Sequence, residues 1–435
     1  MRADLLIDSA RFVLVCDGES RVLADASVAV GDGRIVAVGP SDEVRDSVDA
    51  DRVIDARGHI VMPGLVNLHT HLAMTLLRGV AEDVDLQGFL ERVWAEEARV
   101  MDPAGVELGA RLGAVEALLG GTTTALDMYF HPEAAHQGAV DAGLRHVIGP
   151  VFFSFPGPDG LSWDERMDAA RQWPAALARL GGPHVPVAYM PHAPFTVEID
   201  DLAQIAQLAR ETGGIIHTHT SENDRENADT VASRGMRPVA CLAESGVLSL
   251  APVLGHGVRL DAAERREVAT AGASVAHCPG SNLKLASGAA DVVGYRADGI
   301  RVGLGTDGCS SSNDLDMFAV MRLAANLARL VRDDPAAISA SDVVRMATLD
   351  GARAIGIGDR VGSVEVGKEA DLIVIDTAVP HLTPVRDPHT AIVFAAGRSD
   401  VRHVVVAGEV VIEDRRSMRV DVPALLEAAN ARVDS

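Results

Sequence analysis

The chain has 435 residues, 48% of them hydrophobic, and carries 62 acidic against 39 basic residues for a formal net charge of −23. That length accommodates one large domain with a smaller unit attached, and so acidic a balance with no basic patch argues against nucleic acid as a partner. The four cysteines (Cys16, Cys241, Cys278 and Cys309) show no CxxC spacing, and no uncharged run reaches bilayer length, which argues against disulfide scaffolds and membrane spans.

The opening segment, MRADLLIDSARFVLVCDG, interrupts its apolar residues with charges and lacks a small-residue cleavage site, so a cytoplasmic location is expected. Through residue 60 the chain alternates apolar and polar residues around Gly-Asp turns, as short strands do. The same texture returns in GSVEVGKEADLIVID and VRHVVVAGEVVIED. Both ends therefore predict one composite β-sandwich, 1–60 plus 360–435, around a different middle, 61–359.

In that middle, apolar runs occur at Ile60–Leu68, Thr122–Met128, His146–Phe153, Val185–Met190, Gly214–His219, Ala251–His256, Ala273–Cys278 and Arg301–Thr306. Helical periodicity separates most of them. Eight strands alternating with helices predict an α/β fold, a parallel (β/α)8 TIM-type barrel. A doubly wound sheet is the alternative, but no glycine-rich dinucleotide fingerprint opens any of the helices.

Working residues of such barrels sit where strands end. Those ends carry His69 and His71, Asp127, His192, His217, His219 and Glu222, His256, His277, and Asp307. Random order would place roughly 0.5 HxH pairs in a chain with 15 histidines. Here two such pairs end apolar runs, and on a strand residues i and i+2 point to one side. His69, His71, His219 and Asp307 are the expected ligands of one divalent metal ion. Three imidazoles and a carboxylate suit zinc, with iron or manganese as alternatives. His217 and His277 are equally compatible with hydrogen-bonded core histidines, and Asp127 reads as a strand-end cap or orienting residue.

The stretches PGLVNLHTHLAMTLLRGVAED, HTHTSEND, AHCPGSNLKLASG and LGTDGCSSSNDLDMF closely resemble the amidohydrolase superfamily. Within it they are similar to the branch of methylthioadenosine/S-adenosylhomocysteine deaminases and triazine hydrolases. The resemblance runs nearly end to end and implies the same four ligands. Two-metal members bridge their ions through a carboxylated lysine, but Lys284 and Lys368 are the only lysines and neither stands at the fourth or fifth strand end.

The resemblance further implies that Glu222 shuttles a proton to a ring nitrogen, that Asp307 accepts the water proton, and that His256 holds the water. It makes hydrolytic deamination of an adenosine-type nucleoside the expected activity. Triazine chlorohydrolases lack the glutamate that stands here at Glu222. It also implies substrate contacts from Glu97 (or Glu96, since the match needs a one-residue gap), His192 and Asn282. Enzymes acting on S-adenosylhomocysteine carry arginines after the third strand, whereas GPVFFSFPGPDGLSW has none. Phe152, Phe153, Phe155 and Trp163 suggest an apolar wall instead, which favours methylthioadenosine, 5′-deoxyadenosine or adenosine. A free purine or pterin base such as 8-oxoguanine is the rival substrate, and a non-catalytic scaffold is the rival class. A small molecule is thus the expected partner, with a homodimer or homotetramer by family analogy.

Overall fold

The apolar run beginning at Ile60 is two strands. In the computed structural model, which describes residues 1–84 and 86–434, Ile60–Pro63 and Leu65–Thr70 are separated by Gly64. A Cβ at Gly64 would stand 2.1 Å from the side chain of Thr123, so only glycine lets the backbone pass there. The Pro63-Gly64 pair is the local sign of the break.

In chain order the terminal strands β1 (Arg2–Leu14), β2 (Val22–Gly31), β3 (Arg34–Pro40), β4 (Asp49–Asp55) and β5 (Ile60–Pro63) come first. The central strands follow as β6 (Leu65–Thr70), β7 (Thr122–Asp127), β8 (Arg145–Val147), β9 (Val151–Phe152), β10 (Ala188–Pro191), β11 (Ile215–Thr220), β12 (Val253–His256), β13 (Ser274–His277) and β14 (Arg301–Leu304). The last are β15 (Leu372–Ile375), β16 (Val401–Val406), β17 (Glu409–Glu413) and β18 (Arg416–Ser417).

Both ends of the chain build one nine-stranded sheet, ordered β18-β17-β16-β15-β5-β1-β2-β3 with β4 on β1. Its seam is β5, parallel to β1 and antiparallel to β15, where Leu372 stands opposite Pro63. Residues 61–63, expected in the middle unit, thus pair with the termini.

The central strands form two parallel sheets, β6-β7-β8 and β9 through β14 in sequence order. The expected third strand is broken at Ile148–Pro150, between β8 and β9. Beyond the two sheets, the Asp307 N–H donates to the His69 carbonyl at 2.9 Å, and Asn67 bonds Thr306 through both its amide atoms at 2.7 and 3.0 Å. The strands β6 and β7 are buried along their whole length, as strands covered on both faces are.

Intervening helices carry their own start signals. Asp102 caps Pro103–Leu119 by accepting from the Gly105 N–H at 2.8 Å, and Asp261 with Glu264 forms a capping box on Ala262–Ala271. Arg145 on β8 is fully buried and ties the parallel strands to the terminal sheet: it bonds Asp371 twice at 2.9 Å and Glu369 at 2.7 Å. The last helix, Val422–Asp434, packs on Pro103–Leu119, with Arg432 donating to the Val100 carbonyl at 2.9 Å. Among the described residues, no helix is long and apolar enough to cross a membrane.

Candidate active site

Both HxH pairs arrive at the same end of the parallel strands. His69 lies within β6 and His71 just past it, and their ring centres are 4.9 Å apart. His219 on β11 stands 4.9 Å from His69 and 5.4 Å from His71. Asp307, beyond β14, brings its Oδ1 to 3.2 Å from the Nε2 of His71 and 3.5 Å from that of His69. A Cβ at Gly305 would sit 2.9 Å from the backbone of His69, so the bare glycine is what lets this segment lie against β6. Asp307 and His256 both hold left-handed backbone, φ 64° and 65°, a strained state that clusters at functional sites.

Each ring's tautomer follows from what its Nδ1 touches, because a carbonyl oxygen only accepts. His71 donates from Nδ1 to the Met128 carbonyl at 2.6 Å, and His219 to that of His192 at 2.7 Å. His217 donates from Nδ1 to the Val253 carbonyl at 2.9 Å, so its Nε2 accepts from the Nδ1–H of His69 at 2.7 Å. Each of His69, His71 and His219 thereby offers its Nε2 to one shared point. The His69 Nε2 is buried with no hydrogen-bond partner, an orphan that a native site must explain. A divalent cation explains it. The ligand atoms of His69, His71 and His219 lie within 4.8 Å of one another, as do those of His69, His256 and Asp307. Burial holds His69 down to about 4. At His71 burial is overridden by Asp307, which lifts the ring to about 9, a proton that a cation held here would replace.

Beside this centre the Glu222 Oε2 lies 3.7 Å from the Nε2 of His256, and its Oε1 accepts from the Ser287 hydroxyl at 3.3 Å. His256 ends β12 and donates from Nδ1 to the Asn282 Oδ1 at 2.9 Å, with its Nε2 turned toward Glu222, and the carboxylates of Glu222 and Asp307 raise its pKa against burial. Burial raises the Glu222 carboxyl and His256 partly offsets it, so this acid can hold and release a proton nearer neutrality than a surface glutamate can.

A cavity open to solvent reaches this centre. His71, His219, Glu222, His256 and Asp307 line it, and its other walls are mostly apolar, with Trp94, Phe130 and Phe153 among them. Glu97 also lines it, 3% exposed, and accepts from the Tyr129 hydroxyl at 2.8 Å. Burial pushes this carboxyl up to about 7. His192 stacks on Phe153 at 4.7 Å and donates from Nδ1 to the Thr196 hydroxyl at 3.0 Å. That hydroxyl spends its own proton on the Ala193 carbonyl, so His192 keeps Nε2 as an acceptor. Burial lowers His192 to about 3, and it is neutral at pH 7.

The amidohydrolase family model matches residues 60–411. The chain belongs to the amidohydrolase family.

It is 40% identical over 433 residues to a 5-methylthioadenosine/S-adenosylhomocysteine deaminase of Syntrophobacter fumaroxidans, covering 98% of this chain and 97% of that one. Among solved structures it is similar to an adenosine deaminase from Xanthomonas campestris with bound zinc (TM-score 0.95, 38% identity, 100% and 98% of the two chains). It also resembles an atrazine chlorohydrolase from Arthrobacter aurescens complexed with zinc (TM-score 0.90, 27% identity, 99% and 100%). The protein is accordingly a metal-dependent hydrolase acting on C–N bonds.

Most residues expected at this amidohydrolase's site meet there, but Phe152, Phe155, Trp163 and Asn282 do not line the cavity. Trp163 starts the helix Trp163–Leu180 and packs on Phe152 at 6.0 Å, outside the cavity lining. Phe152 itself turns away from the cavity toward Tyr189. Trp94 supplies the indole instead, one helical turn before Glu97. Asn282 holds His256 and does not line the cavity. Between the two candidate glutamates the helix decides: Glu97 faces inward while Glu96 pairs with Arg99 at 2.5 Å. His217 supports His69, and His277 is buried with both ring nitrogens unpartnered, outside the lining. Asp127 is an orienting residue, accepting from the Leu72 N–H at 3.1 Å and bonded to His146 at 2.9 Å. Sequence reasoning missed Tyr129, Thr196 and Glu226. The i, i+3 spacing of Trp94 and Glu97 on an amphipathic helix was the one available signal for the indole.

Proposed function

We propose that this amidohydrolase is a zinc-dependent deaminase of adenosine-type nucleosides, replacing the 6-amino group by oxygen with release of ammonia. His69, His71, His219 and Asp307 would hold the ion. Zinc in the similar crystal structures supports that choice of metal. We read the two parallel sheets as one closed (β/α)8 barrel, a reading supported by the bonds from Asp307 and Thr306 to β6. The nine-stranded sheet would be a small β-sandwich domain. A cytoplasmic homodimer or homotetramer belongs to the same reading, and sedimentation would check the subunit count.

When bound, the divalent ion polarises a water molecule and lowers its pKa toward neutrality. The residues of the chain do the rest. His256, its Nδ1–H committed to Asn282, turns its Nε2 toward Glu222 and holds the attacking water there. Asp307 takes the water's proton and passes it to the departing amine. Glu222, kept protonated more readily by burial, gives its proton to the ring nitrogen beside the attacked carbon and regains one from the new hydroxyl as the carbonyl forms. Water and amine enter, and a carbonyl and ammonia leave.

Glu97 is the observation that carries the nucleoside. It is a buried carboxylate with one donor, Tyr129, on a largely apolar wall. Its remaining lone pairs suit a pair of vicinal hydroxyls, as a ribose offers. The apolar residues Phe153, Trp94 and Phe130 favour a neutral 5′ group. Arg166, whose guanidinium lies 5.4 Å from the Phe153 ring centre, is bound to Asp159 at 2.5 and 2.8 Å and so is committed elsewhere. The test is an ammonia-release screen of the zinc-loaded protein over methylthioadenosine, 5′-deoxyadenosine, adenosine, S-adenosylhomocysteine and free aminated bases. Equal turnover of methylthioadenosine and S-adenosylhomocysteine overturns the 5′ preference. Turnover confined to free bases overturns the nucleoside.

A further inference from the structure

We propose that Glu226 is a positioning residue that aims Glu222, gripping the two successive amide N–H groups of Ser221 and Glu222 with its two carboxylate oxygens. The inference rests on the reading of Glu222 as the proton carrier. Glu226 lies in the first turn of the helix Asp224–Arg234, yet its side chain reaches back over the helix start. The Ser221 N–H donates to its Oε1 at 3.1 Å and the Glu222 N–H to its Oε2 at 2.5 Å.

That grip holds an otherwise unfavourable turn. Ser221 has φ 51°, left-handed in a residue that is not glycine, a state that persists only where surroundings over-determine it. Glu226 restrains the turn on one side, and the Arg259 N–H, donating to the Ser221 carbonyl at 2.9 Å, restrains it on the other. Helix capping anchors the gripping residue in turn, since the Glu226 N–H donates to Asn223 Oδ1 at 2.8 Å and the Thr230 hydroxyl to the Glu226 carbonyl at 2.7 Å. With the amides of 221 and 222 fixed, the Cα–Cβ direction of Glu222 is fixed as well. The Glu222 carboxylate then lies against Ser287 and His256.

Glu226 is 3% exposed and touches the cavity, but both of its oxygens are occupied by the main chain. It thus has a structural task at a catalytic loop and no evident task on substrate. Only a carboxylate offers two acceptors on one planar group. An amide in its place turns one of them into a donor facing an N–H.

The experiment is a double-mutant cycle on the zinc-loaded, full-length protein with the nucleoside that the screen finds best. Glu226→Gln is expected to lower kcat about 10- to 100-fold, with KM within about twofold of wild type and metal content unchanged. In the Glu222→Gln background the second substitution should add nothing, because its effect passes through the residue already disabled. Losses that multiply in the double variant, or a rise in KM alone, overturn the inference while leaving Glu222 in its role. Wild-type kcat in Glu222→Gln would instead overturn the role of Glu222 and this inference with it. If Glu226→Gln does not fold, Glu226→Asp, which keeps the charge but falls one methylene short, is put through the same cycle with the same expected outcomes.

Discussion

His69 donates its Nδ1 proton to the Nε2 of His217 at 2.7 Å, and His217 donates its own to the Val253 carbonyl at 2.9 Å. The second HxH pair therefore has two tasks: His219 faces the centre, and His217 props the first pair from behind. Outer partners of this kind orient a ligand ring and raise its basicity. His217→Phe keeps the ring and removes the acceptor. Metal affinity should fall about 10- to 100-fold, as read by competition with a chromogenic chelator. Undiminished affinity would show that the contact orients nothing.

Glu97 gives the protein a pH-dependent weakness. Its folded pKa, about 7, lies above its ordinary 4.5 because of burial. The folded state therefore holds that proton more tightly than the unfolded state does. Stability from this proton is present in full below pH 4.5 and is lost as pH rises through about 7, with a swing of about 3 kcal/mol. Glu97→Gln, uncharged throughout, should gain stability relative to wild type between pH 5 and 8 in urea titrations. A constant difference across that range would sink the account.

Thr196 is expected to act on substrate affinity without touching substrate. Its hydroxyl takes the Nδ1 proton of His192 at 3.0 Å. Thr196→Val preserves shape but leaves that buried N–H unpaired, at a cost of about 1–3 kcal/mol unless the ring turns. KM should rise roughly tenfold with a smaller change in kcat. Steady-state kinetics on the preferred nucleoside decide it, and an unchanged KM would count against the role.

Arg145 should matter to stability more than to catalysis. Replacing it by methionine leaves the buried Asp371 without its cation, while Glu369 keeps Arg360. Removing one partner of such a buried pair costs about 3–5 kcal/mol. A urea midpoint lowered accordingly, with KM unaltered in the protein that stays folded, is the expected result.

What could be read from the sequence and what could not divide along a physical line. His69, His71, His219 and Asp307 were legible because strand ends fix the side on which a residue emerges, whatever the distant packing. The assignment of Trp163 to the apolar wall failed because helix starts carry no such rule. Its indole packs on the outer face of Phe152. Asn282 was placed near the site, but its partner there is His256, a pairing set by how two loops meet. Tyr129 and Thr196 matter through single hydroxyls whose partners only folding reveals. The split of the run at Gly64 was marked by Pro63-Gly64, yet its cause, the approach of Thr123, is tertiary.

The pairing of β5 with β15 has a consequence for synthesis. The partner that covers the open edge of β5 emerges from the ribosome roughly 300 residues later, which at 5–20 residues per second is a wait of about 15–60 s. During that interval the newborn chain shows an apolar strand edge of the sort that recruits the wrong neighbours. Ile60–Pro63 is thus a segment whose exposure a nascent-chain chaperone has reason to cover.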